Sequence, residues 1–133
     1  MRAIADHPNA TIARTALDAF VAGDVETMAA SIADDAVWHA PGTNRFSGRF
    51  EGKAEVMARL GRMREAGITT SFQIHDVVGN DEHVVALVHL RVANSEGASY
   101  DQPQVQVMHV MNGRLAELWT MNQDQAVLDV ILG

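Results

Sequence analysis

The hydrophobic pattern of the chain changes at Gly67, from the 3.6-residue period of helices to the two-residue period of strands. The second half then predicts four long strands, at 69–79, 83–93, 99–111 and 114–122. Asn112-Gly113, between the last two, is the strongest short signal for a hairpin, so these strands should pair antiparallel. Any helices must therefore come mainly from the first half.

The first half predicts three helices. Their apolar residues recur at steps of three and four over 10–22, 24–32 and 53–66. Ala36 to Ala40 is predicted as a short strand that ends before Pro41, and residues 43–52 as a loop that covers part of the interior. Residues 123–132 suit either a short closing helix or a tail across the mouth of a pocket.

Helices followed by a strand meander are typical of an α+β domain, with the helices on one face of a mixed or antiparallel sheet. Strand twist accumulates across a sheet of long strands, so a helix lying against it makes the sheet curve and leaves a hollow. We therefore expect residues 1–133 to form a single cone-shaped domain. Its concave side should hold an apolar pocket for a small organic molecule.

The charge balance argues against several partners. The chain has 17 acidic and 10 basic residues and no basic run, so neither nucleic acid nor an anionic membrane is an expected partner. Cysteine is absent, which excludes disulfides, a thiolate nucleophile and a cysteine zinc site. No apolar run suits a signal peptide or a membrane span, and we expect a soluble cytoplasmic protein.

Short motifs spread over the chain suggest a family. They are Ala22-Gly23-Asp24, Ala33 to Trp38, His39 to Gly42, Glu51-Gly52-Lys53, His75-Asp76-Val77, Asn112-Gly113-Arg114, Glu117-Leu118-Trp119 and Asp124-Gln125-Ala126. In order and spacing the chain resembles the SnoaL-like, ketosteroid-isomerase-like branch of the NTF2-like superfamily. The resemblance implies the cone fold and its pocket. It implies no single reaction, because the superfamily includes isomerases, cyclases, epoxide hydrolases, dehydratases and non-catalytic binders.

Ketosteroid isomerase gives the most detailed comparison within that resemblance. The position of its catalytic base falls on Ala40, that of its tyrosine near Ala16, and that of its protonated acid near Val107. Because all three groups are missing, we do not expect double-bond isomerisation by that machinery. Similarity to the cyclases of the branch implies Asp124 as a base.

Three residues are candidates for acid/base catalysis. His39 lies on the short first strand, where it is either a proton carrier or a core histidine bound to a carbonyl. His109 alternates with Val105, Val107 and Met111 on the more apolar face of its strand, which predicts that it faces the pocket. Asp124 is either a base or, more commonly for such a position, a helix N-cap.

The predicted pocket wall consists of large apolar side chains together with His89 and Val107. They are Trp38, Phe46, Phe50, Met57, Leu60, His89, Val107, Trp119 and Met121. No His-x-x-x-His spacing occurs, so we expect neither a metal nor another cofactor. The opposite face of the fourth strand, with Gln102, Gln104, Gln106 and Met108, is predicted to be exposed and to form a homodimer interface.

Three functions remain open at this stage. The first is a cofactor-independent cyclase, isomerase or hydrolase acting on a hydrophobic oxygenated molecule, with His39 or His109 moving the proton. The second is a binding domain without catalysis. The third is a dimerisation module whose own side chains fill the pocket.

Overall fold

The computed structural model describes residues 6–133, which form four helices and six strands. The helices are α1 (Pro8–Ala22), α2 (Val25–Ala30), α3 (Lys53–Glu65) and α4 (Gln125–Leu132). The strands are β1 (Ile32–Ala40), β2 (Gly48–Glu51), β3 (Thr69–Gly79), β4 (Val84–Ala93), β5 (Ser99–Met111) and β6 (Arg114–Asn122). This is the predicted order of helices, with the closing segment helical rather than an extended tail.

The strands form one curved sheet in the order β2-β1-β6-β5-β4-β3. β1 runs parallel to β6, and every other neighbouring pair is antiparallel. The predicted hairpin between β5 and β6 is confirmed, and Asn112 and Gly113 both have the positive φ that such a turn requires. The mixed α+β class is therefore confirmed.

Local signals explain where the helices begin and end. α1 starts with Pro8, behind an imidazole of His7 that accepts from the backbone N–H of Asn9. It ends at Gly23, which adopts a left-handed conformation. The carboxylates of Asp24 and Asp124 cap α2 and α4 by accepting from backbone N–H groups three residues ahead.

Two elements differ from the prediction. β1 begins at Ile32, four residues before its predicted start. The prediction missed these residues because a register shift between Ile32 and Val37 interrupts the alternation of the strand. β2 lies within the predicted loop and pairs with the end of β1, so that Gly48 faces Ala40. An edge strand of four residues carries too little pattern to be recognised from sequence.

The predicted orientation of β5 was wrong. Gln104, Gln106 and Met108 point inward and are 8%, 6% and 0% exposed, whereas Val107 and His109 lie on the outer face. The expectation assumed that the more apolar face is buried, yet buried amides are tolerated when they hydrogen-bond to one another. The homodimer surface predicted from Gln104, Gln106 and Met108 is therefore not available.

The core lies between the helices and the inner face of the sheet. Its most deeply buried large side chains are Ile32, Val56, Val84, Tyr100 and Met108. Burying side chains of this size contributes about 1.5–3 kcal/mol each. Within residues 6–133, none of the helices has the length and apolarity needed to span a membrane.

Candidate functional site

A cavity of about 150 Å³ lies between the helices and the inner face of the sheet. α1 contributes Ala16, Leu17 and Phe20, and the facing strands contribute mainly apolar side chains such as Phe72 and Leu90. A cavity of this volume in an apolar core accommodates a ligand of about one six-membered ring. The interior is therefore not filled by the protein's own side chains.

Arg59, on α3, is the only permanently charged residue among the described residues that line the cavity. Its Nε donates to the carbonyl oxygen of Phe46 at 2.9 Å, and its guanidinium lies over the ring of Phe50. Among residues 6–133, no carboxylate lies within salt-bridge distance, and its four other N–H groups find no acceptor. Burial, and secondarily the charge of Arg62, lowers the pKa of Arg59 to about 10, so it stays charged at neutral pH.

Trp38, on β1, supplies a second donor without a partner. Its side chain lines the cavity, and its indole nitrogen is buried with no hydrogen-bond partner among residues 6–133. Leaving a buried N–H unsatisfied costs about 1–3 kcal/mol. The nitrogen is closed to water, so an acceptor atom on a bound molecule would recover this free energy once neighbouring side chains make room for it.

Amide side chains line the end of the cavity near α4. Gln104 and Gln106 from β5, Asn122 from β6 and Gln125 from α4 form successive hydrogen bonds of 2.8 Å. The last of them, Gln125, donates to Asp129, also at 2.8 Å. Hydrogen bonds from Asn44 and then Gln125 hold the pKa of the Asp129 carboxyl below its usual value.

His39 connects the cavity with the outer face of the sheet, because it borders both. Its Nε2 lies 2.6 Å from Glu117 Oε2, and its ring stacks on Trp119 at 5.0 Å. His109 Nδ1 lies 3.5 Å from the other oxygen of the same carboxylate. Within residues 6–133, however, no three histidine or carboxylate side chains are placed to hold a metal ion.

Of the predicted site residues, Trp38, His39 and Leu60 line the cavity. Four others lie on the outer face, around an open depression: His109, Val107, Trp119 and Met121. His109 and Val107 lie there because the β5 faces are reversed. Trp119 and Met121 follow, since they pair with Val107 and Val105 and share their face.

The remaining predicted residues have structural surroundings instead. Phe46 is buried in the core at 3% exposure. Phe50 and Met57 pack against a second, smaller apolar cluster beside α3. His89 lies on the exposed face of β4, where it contacts Asp101. Asp124 caps α4 by accepting from the Val127 N–H at 3.2 Å and does not line the cavity, so its capping role is confirmed.

Sequence reasoning missed Arg59 and the two inward glutamines. Arg59 was not among the predicted site residues, although it falls three residues after the buried Val56 and directly before Leu60. That spacing could have placed it at the edge of the buried face. The position compared with the acid of ketosteroid isomerase, Val107, lies outside, and its inward neighbours are Gln106 and Met108.

Comparisons with known proteins agree with this architecture. Bal32a, from a soil-derived mobile gene cassette, is 26% identical, with 95% of this chain and 97% of that chain covered and a TM-score of 0.87. A protein of unknown function with a cystatin-like fold from Xanthomonas campestris is 27% identical, with 92% and 96% covered and a TM-score of 0.87. TerC, co-crystallised with polyporic acid, is 16% identical, with 95% and 98% covered and a TM-score of 0.83.

No curated protein matches the sequence. The profile of the SnoaL-like domain, in contrast, matches residues 13–118, which is most of the chain. The matched segment runs from α1 to β6 and includes most of the residues that line the cavity. The chain therefore belongs to the SnoaL-like domain family.

Proposed function

We propose that the cavity binds a small hydrophobic molecule with an acceptor oxygen, and that the protein performs acid/base chemistry on it without a cofactor. The reaction class is that of a cyclase, isomerase or hydrolase. The observation that carries the proposal is the pair of donors in the apolar wall, the guanidinium of Arg59 and the indole N–H of Trp38. A carbonyl, enolate or carboxylate oxygen is the chemical group that both donors bind.

The position of these donors in a desolvated wall adds to the argument. Fixed donors aimed at a developing negative charge act most strongly where water is excluded. Removing a proton from the carbon beside a carbonyl places such a charge on the carbonyl oxygen. Arg59 and Trp38 can therefore donate hydrogen bonds to the oxygen of a carbonyl ligand and to that of the enolate formed from it.

His39 is the proposed proton carrier. A histidine whose ring nitrogen is held by a carboxylate is a common general base, because the carboxylate orients the ring. Glu117 holds His39 in this way at 2.6 Å. His109 contacts the same carboxylate, but it borders the outer depression and not the cavity.

Acetophenone in deuterated water tests binding and chemistry together. We expect it to bind more tightly than ethylbenzene, which has a similar shape without the oxygen, and to exchange its methyl protons for deuterium in an NMR time course. Trp38→Phe should weaken acetophenone about five- to tenfold and leave ethylbenzene unchanged, since it removes one hydrogen bond. His39→Gln should abolish exchange with little change in affinity measured by calorimetry.

His109→Gln is the matched control, because it also removes a contact with Glu117. Full exchange in this variant supports His39 as the proton carrier at the cavity. Loss of exchange in both variants would mean that the reaction takes place at the outer depression instead. Binding without exchange in the wild-type protein would support the alternative of a non-catalytic binding domain. Absence of binding by both probes would contradict the proposal altogether.

We also propose a homodimer, formed through the outer face of the sheet. Val78, Leu87, Met111 and Met121 expose 53%, 39%, 62% and 51% of their surface there. Apolar side chains grouped on one face are typical of interaction surfaces.

Light scattering tests this dimer. The wild-type protein is expected to give twice the chain mass, and Met121→Lys is expected to reduce the measured mass to that of the monomer. Val130→Lys, at an equally apolar site on α4, should have no effect; a wild-type mass near 14.4 kDa would exclude the dimer.

A further inference from the structure

The amide side chains at one end of the cavity form a single directed series. Gln106 Nε2 donates to Gln104 Oε1, and Gln104 Nε2 donates to Asn122 Oδ1. Asn122 Nδ2 then donates to Gln125 Oε1, and Gln125 Nε2 donates to Asp129 Oδ1. Each of these four bonds is 2.8 Å long, and each donor points towards α4.

Asp129 determines this direction. An ionised carboxylate can only accept hydrogen bonds, and Asp129 also accepts from Asn44 at 2.7 Å and from the backbone N–H of Thr43 at 3.1 Å. Gln125 must therefore turn its NH₂ group towards Asp129 and its carbonyl oxygen towards Asn122. The same constraint passes from amide to amide, because reversing any one of them would bring two oxygens or two NH₂ groups together.

The series ends on an acceptor inside the cavity. Gln106 is 6% exposed and lines the cavity, and one N–H of its NH₂ group donates to Gln104. Its carbonyl oxygen receives no hydrogen bond from any of residues 6–133. An acceptor without a partner in a cavity wall favours a ligand that brings its own donor.

We propose that the cavity selects a ligand with a hydroxyl group, which donates to Gln106 Oε1. The inference rests on the proposed function and narrows its substrate class. Arg59 and Trp38 offer donors, whereas Gln106 offers an acceptor of fixed direction. The ligand class is therefore a hydroxylated one-ring carbonyl or carboxylate compound, and a phenol or alcohol is preferred to an ether, a halide or a hydrocarbon.

Two nearly isosteric probes isolate this hydroxyl. Measured by calorimetry, p-cresol should bind the wild-type protein roughly tenfold more tightly than 4-fluorotoluene, which has no donor. Gln106→Met keeps the size of the side chain and removes the acceptor. It should bring the ratio of the two affinities to about one by weakening p-cresol, with 4-fluorotoluene unchanged.

A second variant tests the direction of the series without changing the cavity wall. Asp129→Asn allows the terminal group to donate or accept, so the amides can reverse and Gln106 can present its NH₂ group. The p-cresol preference should then fall severalfold, although Gln106 is still present. Equal binding of both probes by the wild-type protein, or an unchanged ratio in both variants, would overturn the inference alone. Failure of both probes to bind would overturn the proposed function as well as this inference.

Discussion

Replacing Arg59 with methionine is expected to weaken benzoate binding roughly 50-fold and benzamide binding about fivefold or less. The two probes have nearly the same shape, but benzoate is charged. Arg59 has four N–H groups without a protein acceptor and no carboxylate partner among residues 6–133, so a ligand anion would be its counter-charge. Calorimetric titration of both probes measures the difference directly.

Arg62→Met is the matched control for this experiment. Arg62 is exposed, lies over the same Phe50 ring at 5.9 Å and does not line the cavity. Its replacement should change benzoate affinity less than about twofold, since an exposed charge is screened by solvent. Equal losses in both variants would mean that α3 attracts anions by its overall charge, and that Arg59 has no special role.

Gly42→Ala is expected to lower the melting temperature by about 12 °C, which corresponds to a loss of roughly 3 kcal/mol in a domain of this size. Gly42 has φ of +92°, and an added Cβ would lie 2.1 Å from Asp129 Oδ1 and 2.4 Å from Gln125 Nε2. The variant therefore adds backbone strain and separates the carboxylate from its donors. Thermal unfolding followed by circular dichroism measures the effect.

Gly97→Ala separates strain from the clash. Gly97 has a similar φ of +88°, but a Cβ there would meet nothing within 4 Å. This variant should lower the melting temperature by only about 4 °C, the effect of the strain alone. The same loss in both variants would show that Asp129 moves away at no cost, and the fixed direction of the amides would then be in doubt.

Much of the fold follows from signals that are local in the sequence. Strands β3 to β6 alternate with a two-residue period between turns rich in glycine and asparagine, and their predicted bounds agree with the structure to within a residue. The irregular pairing near Ile32 has no such signal, because the register shift depends on contact with Leu115, more than eighty residues away. The start of β1 could therefore not be predicted.

The site was harder to predict, since its polar residues depend on partners distant in sequence. Trp38 and Leu60 were recognised because large apolar residues next to a hollow form its wall. Gln106 was assigned to solvent because nothing near it in sequence reveals the bonds that permit its burial. Those bonds run through Asn122 and Gln125 to Asp129, on a different strand and a later helix.

Helix α4 has a consequence for truncated forms of the protein. Leu128 and Leu132 complete the wall begun by residues as early as Ala16, and Asn94 and Arg45 hold the helix by its terminal carbonyl oxygens. A fragment that ends before Gln125 lacks these wall residues and the carboxylate of Asp129 that orients the glutamines. Such a fragment is therefore expected not to bind the ligand, even if its sheet forms.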